Sequence, residues 1–338
     1  MKKTGFVLLV LFSLYGCRNK NIPDVSDINI SLEAQRFEKD FFAIDTGDIY
    51  TSLLQLRQQY PIFLQDFLQN ILELPPVTDT SLEVQYVIRR FINDYRPVKD
   101  SADKLISNFD KTENEIKQGL QFVKYYFPDY RVPEKIITFI GPMEGYSDVI
   151  TSNALAIGLQ LHLGKDYSLY NSEIGQSVFP TYISRRFTQE TIPVNCMNNV
   201  INDIAPENTT GKALVELMVE KGKRLYVLDK IMPYTPDTLK IGYTASQLQG
   251  CRDNEGKIWN FFLVNSLVYT NEPDLINGYM GDAPHTPELG EGSPGAIGWF
   301  VGWQIVKKYM DMHKELSLYE LLKTPPQKIF EESKYKPK

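Results

Sequence analysis

Lys135-Ile136-Ile137-Thr138-Phe139-Ile140-Gly141, with Pro133 ahead of it and Pro142 behind, is where the texture of this chain changes. Ile136, Ile137, Thr138 and Ile140 are β-branched, a type that packs well on a pleated surface. The run is short, apolar and closed by Gly-Pro, so it predicts a buried strand. Asn153 to Leu163 predicts a second one. There Leu155, Ile157, Leu159 and Leu161 alternate with Ala154, Ala156, Gly158, Gln160 and His162, which places His162 inside the strand.

Outward from this pair the periodicity becomes helical. Upstream, Leu53, Leu54, Leu56, Phe63, Phe67, Leu68 and Ile71 recur at helical spacing between Asp40 and Leu74, and Leu74-Pro75-Pro76 stops that helix. Ser81 to Tyr95 and Asp100 to Phe127 predict two more. Downstream, helices are expected over Ile192–Ile204, Gly211–Ile231 and Thr244–Val268. Ser293-Pro294 opens a last long helix to about His313, with Pro294 in its first turn. The expected architecture is α+β and mostly helical, with a small central sheet. A helical N-terminal part (32–132) and an α+β part (133–338) form one compact unit.

The chain has 338 residues, 43% hydrophobic and 23% charged, with a formal net charge of −6, ordinary for a globular domain. No basic stripe marks a nucleic-acid binder, so nucleic acid is not an expected partner. Twenty tyrosines leave room for protein or glycan contacts.

The N-terminus has a separate meaning. Lys2 and Lys3 precede an apolar run from Phe6 to Phe12, and Leu14-Tyr15-Gly16-Cys17 follows. That order describes an export signal over residues 1–16. The run is too short to span a bilayer, which takes roughly 20 apolar residues. Cysteine after a small residue resembles a lipobox, with Tyr15 departing from the usual small residue. Cys17 is therefore the expected site of lipid attachment, and residues 17–31 read as a polar, flexible tether to membrane lipid.

Little in the chain suggests catalysis. Zinc hydrolysis uses two histidines one helical turn apart with a glutamate between them. The three histidines, His162, His285 and His313, lie far apart in sequence. His162 and His313 read as structural. There is no Gly-x-Ser-x-Gly elbow and no phosphate-binding Gly-rich loop ending in Lys. Cys196 and Cys251 fit either a disulfide or two buried thiols. The Gly- and Pro-rich loop Gly278–Gly292 carries Asp282, His285, Glu288 and Glu291, a candidate surface for a cation or a sugar. Gly295, Gly298 and Gly302 share one face of the last helix, where another backbone approaches closely.

Taken together, Cys17, the run Asn153–Leu159 with Leu163-Gly164-Lys165-Asp166-Tyr167, Tyr182-Ile183-Ser184-Arg185-Arg186-Phe187 and the Pro-Gly-x-x-Gly-Trp-x-x-Gly-Trp helix resemble the gliding motility lipoprotein GldB family. That family is more distantly similar to zinc peptidases whose helix carries His-Glu-x-x-His. The resemblance implies a zincin-like fold with a degenerate site. Asn195 and Asn199 stand at the histidine ligand positions, Cys196 at that of the general base, and Glu220 at that of the third ligand. Two neutral amides beside one carboxylate hold zinc poorly, so neither metal nor other cofactor is expected. The resulting expectation is a non-enzymatic lipoprotein of the cell envelope, in the outer membrane facing the periplasm. It would scaffold or bind other proteins of the gliding and linked secretion machinery. Two alternatives are a peptidase built on Glu220, His285 and the acidic loop, and a glycan-binding lipoprotein.

Overall fold

The computed structural model describes residues 22–76, 78–79 and 81–338. The signal segment 1–16 and Cys17 lie outside the described residues. From Ile22 onward the expected tether is packed on the body. Val25 and Ile30 are buried, and Gln121 Nε2 donates to the Ile28 carbonyl at 2.9 Å.

The sheet has four strands in the order β1-β2-β4-β3. The strands are β1 (Glu33–Arg36), β2 (Lys135–Phe139), β3 (Asp148–Ile150) and β4 (Ala154–Gly158). β1 runs parallel to β2 and β2 to β4, with Lys135 opposite Ala154 and Phe139 opposite Gly158. β3 closes the far edge antiparallel to β4, pairing Asp148 with Ile157. The central strands are covered on both faces, hence their near-continuous apolar sequence. The edge strands escaped the sequence reading for the opposite reason. They are three or four residues long and half-exposed, so no apolar run marks them.

The N-terminal part contains α1 (Phe37–Phe41), α2 (Ile49–Gln59), α3 (Phe63–Asp66), α4 (Leu82–Leu105) and α5 (Asp110–Tyr126). The single helix expected over 40–74 is thus broken. Asp48 caps the Thr51 amide at the start of α2, and Tyr60-Pro61 separates α2 from α3. α3 passes into a π turn over Phe67–Ile71. The helix expected to end at Tyr95 instead runs through Pro97 to Leu105, because the buried face of Val84, Ile88, Phe91, Ile92, Val98 and Ala102 continues across it, and the helix expected from Asp100 starts only at Asp110. Pro97 itself is exposed, where water can serve the carbonyl its missing N–H leaves unpaired.

Beyond the sheet come α6 (Glu173–Val178), α7 (Thr181–Ser184), α8 (Ile192–Ile204), α9 (Leu214–Ile231), α10 (Asp237–Ile241), α11 (Ala245–Asp253), α12 (Glu255–Val264), α13 (Pro273–Met280), α14 (Ile297–Met312), α15 (Leu318–Lys323) and α16 (Pro326–Ser333). The helix expected over 244–268 is divided at Asn254. α13 occupies the start of the expected acidic loop. α14 begins later than Ser293, because Ala296 adopts left-handed backbone (φ 51°). That residue is held by Tyr243, whose hydroxyl donates to the Ala296 carbonyl at 2.9 Å.

α9 and α14 cross at the centre of the core. A Cβ on Gly302 would lie 1.7 Å from the Met218 carbonyl oxygen, and one on Gly222 2.1 Å from the Gly302 oxygen. Of the glycine face read from the sequence, Gly302 forms a backbone-to-backbone helix crossing, Gly298 packs chiefly against Met280 and Tyr279 of α13, and Gly295 lies ahead of α14 against the Ala283 backbone. Cys196 and Cys251 are separate buried thiols, so the disulfide alternative falls. Among the described residues no helix is long and apolar enough to cross a membrane.

Candidate functional site

The site grows from the far edge of the sheet. β4 ends at Gly158, whose amide bonds the Ser147 carbonyl across the β3–β4 pairing. A single 3-10 turn, Leu159–Leu161, follows. His162 therefore lies beyond the strand, not within it as the alternation implied. Its Nε2 faces both carboxylate oxygens of Asp148 at 3.0 Å, and its Nδ1 faces the Thr188 carbonyl at 3.2 Å. The two side chains are 1% and 2% exposed, so this is a fully buried pair.

α8 packs across the same carboxylate. Residues four apart share a helix face, so Asn195 and Asn199 both reach β3. Asn195 Nδ2 donates to Asp148 Oδ2 at 2.7 Å, and Asn199 Nδ2 to the Asp148 main-chain carbonyl at 2.9 Å. Cys196, between them, turns into the core. Burial, and secondarily the charge of Asp148, push its thiol well above the ordinary value. A thiol held in that form is a poor base and a poor nucleophile.

Glu220 has different company. Its Oε1 accepts from Lys212 Nζ at 2.6 Å and its Oε2 lies 2.9 Å from Lys223 Nζ. Lys223 is tied in turn to the Leu322 and Thr324 carbonyls, at 3.0 and 3.2 Å. The structure thus gathers Asn195 and Asn199 on Asp148, while the Glu220 carboxylate is engaged by two lysines.

The loop candidates are dispersed. Asp282 pairs with Arg186 at 3.0 Å. His285 is half-buried, and Glu288 and Glu291 are exposed. Among the described residues no group of three or more His, Cys, Asp and Glu side chains could hold a metal ion. His313, at the end of α14, lies 4.3 Å from the Tyr309 ring and 3.6 Å from a Glu332 carboxylate oxygen.

Above the buried network lies a cleft of about 680 Å³. Its walls are α8, α9, the segment 185–188 and the connection 238–245, with Trp299 of α14 also lining it. His162 and Asn195 reach it from the network side. Lys165, Arg185, Arg186, Lys221, Arg224 and Lys240 line it as well, and among the described residues no carboxylate does. The sequence reading missed Asp148, Lys221 and Arg224. The two cations are three apart on α9, a spacing that puts them on one face. Nothing local marks Asp148, which meets His162 only through the β3–β4 pairing.

A family model described as gliding motility protein GldB matches residues 18–337, nearly the whole chain. No curated protein matches it, and no solved structure does.

Proposed function

The chain belongs to the gliding motility protein GldB family, and from that membership we propose a non-catalytic envelope lipoprotein that acts as a binding or scaffolding component of the gliding apparatus. Lipid on Cys17 would hold it at the membrane. Each buried CH₂ contributes about 0.8 kcal/mol, and stable anchoring takes more than one chain, which a diacylated cysteine supplies. We place it in the outer membrane, facing the periplasm, with other envelope proteins of the motility and secretion machinery as its partners.

The observation that carries the non-catalytic reading is the engagement of Asn195 and Asn199 by Asp148. In a zincin-like site this helix turn would present two imidazoles and a base to a metal. Here it presents two neutral amides that spend their donors on a neighbouring strand, and a buried thiol. Water activation at that turn has neither a metal-binding pair nor a base.

Two experiments test this. Cys17→Ser should move the protein out of the membrane fraction and abolish gliding in a gliding host. Purified protein should hold no stoichiometric zinc and cleave no peptide. Zinc at one equivalent together with peptidase activity, both lost in Glu220→Ala, would overturn the non-catalytic reading.

A further inference from the structure

We propose that the cleft beside α9 is a binding site for a phosphoryl group, carried on a small molecule whose organic part lies along Trp299. This names the chemistry of what the cleft takes. It rests on the binding role proposed above only in treating the cleft as open to a ligand.

The chain as a whole is acidic, with net charge −6, yet among the described residues six cationic side chains and no acidic one line this cleft. Some of that charge is compensated from behind. Arg186 pairs with Asp282, Lys240 with Asp229, and Lys165 with Asp166. Three members are not fully matched. Among the described residues Arg185 bonds main-chain carbonyls, those of Tyr182 and Gly242 at 3.1 and 3.0 Å, and no carboxylate. Lys221 meets no hydrogen-bond acceptor or carboxylate among the described residues, and its Nζ lies 3.8 Å from the centre of the Trp299 ring. Burial moves its ammonium below the ordinary lysine value.

Arg224 is the second, independent sign. It is only 8% exposed. Nη2 donates to the Ala205 carbonyl at 2.9 Å, while Nε and Nη1 are buried with no hydrogen-bond partner. Its one carboxylate neighbour, Glu207, stands 3.7 Å from Nε. Buried polar groups are nearly always hydrogen-bonded, and buried charges are paired. An arginine with two unpartnered donors beside a lysine with no carboxylate in contact with it is a place built for an anion.

The balance favours phosphate over carboxylate. Lys221 and Arg185 supply two charges with no carboxylate in salt-bridge contact, matching a phosphomonoester near pH 7. The Arg224 guanidinium adds fork geometry suited to phosphate oxygens. Asn198, on the α8 wall, offers an amide with no hydrogen bond of its own among the described residues. A volume of about 680 Å³ lies within the range of small-molecule sites and far exceeds one phosphate. Trp299, Leu225 and Phe187 provide an apolar bed for the remainder.

The test is thermal unfolding and intrinsic tryptophan fluorescence of the full chain in mild detergent, titrated with inorganic phosphate, phenyl phosphate and benzoate against sodium chloride at matched ionic strength. Both phosphate compounds should raise the melting temperature and change the fluorescence, phenyl phosphate at lower concentration. Lys221→Met fills the same space without charge and should fold, yet bind phenyl phosphate at least tenfold more weakly. Arg224→Gln should behave likewise, and if it fails to fold, Lys221→Met still decides. Two results would overturn the proposal: no effect of either phosphate compound beyond that of chloride, or undiminished binding in Lys221→Met. Tighter binding of benzoate than of phenyl phosphate would overturn the phosphoryl assignment. A negative outcome beside intact Cys17-dependent gliding would sink this ligand while leaving the lipoprotein role standing.

Discussion

Gly302→Ala should destabilise the protein because of one contact. The added Cβ would lie 1.7 Å from the Met218 carbonyl oxygen and 2.3 Å from its carbonyl carbon. An unstrained carbon–oxygen contact is about 3.3 Å, so α9 and α14 would have to part by about 1.6 Å. Both contacting groups are main chain and cannot swing aside. A gap of about 0.5–1 Å already forfeits a quarter to a half of each dispersion contact along a seam. Overpacking costs about 1–3 kcal/mol and sometimes more, and this case belongs at the upper end. Alanine's better helix propensity returns up to about 1 kcal/mol. The expected net loss is about 2 kcal/mol or more. With a urea slope of about 3 kcal/mol/M, the midpoint should fall by about 0.5 M or more.

Gly250→Ala is the internal control. Gly250 lies within α11, and a Cβ there meets no atom within 4 Å. The same substitution should stabilise by up to about 1 kcal/mol. Urea unfolding followed by circular dichroism reads both variants. A Gly302→Ala midpoint equal to or above that of the natural chain would refute the close crossing. The crossing also places Trp299, three residues before Gly302, over Lys221, so the seam helps to shape the cleft.

Asp148→Ala should cost about 3–5 kcal/mol, since it strands the buried His162 and frees the Asn195 amide. Asn195→Ala, which removes one donor from a carboxylate that keeps His162, should cost about 1.5–3 kcal/mol; the reverse order in denaturant unfolding would contradict the network. Pro97→Ala in the exposed interior of α4 should raise stability by about 1–3 kcal/mol, and a lowered midpoint would show that the proline is accommodated at no cost. Neither thiol should react with a disulfide reagent at pH 8 in the folded protein, because burial pushes Cys251 up to about 12 and Cys196 well up too; stoichiometric labelling without unfolding would exclude this. The sign of the pH effect follows: an unfolded cysteine ionises near pH 8.5 while folded Cys251 keeps its proton. Its contribution is therefore complete below about 8.5 and lost as pH rises toward about 12. Cys251→Ala should flatten that part of the profile.

Some of this protein could be read from one dimension because its signals are local. The strand at Lys135–Phe139 announces itself by β-branched composition, and α8 and α9 by apolar periodicity. Gly298 and Gly302 reveal a close helix contact because glycine within a helix is costly without one. The order of residues around Cys17 and in the Pro-Gly-x-x-Gly-Trp helix also carried the family relationship. Boundaries were harder. The helix read as ending at Tyr95 runs on to Leu105, because a continuous buried face from Val84 to Ala102 outweighs the hydrogen bond lost at Pro97. His162 looked like a strand residue because the alternation runs past Gly158, where the pairing with β2 ends.

What the sequence determined by itself was therefore composition, periodicity and the identity of the groups on α8: two amides one helical turn apart on one face. What those groups do was decided only by the tertiary structure. Asp148 lies 47 residues from Asn195 and 14 from His162 in the chain. Only the antiparallel pairing of β3 with β4, and the packing of α8 across it, brings His162 and Asn195 to the Asp148 carboxylate and Asn199 to its main-chain carbonyl. The same holds for the cleft. Arg185, Lys221 and Arg224 are unremarkable cations along the chain, and they become one positive site because α9 and the 185–188 segment face each other across it. Burial and charge pairing depend on distance in space, and no local pattern of residues encodes that distance.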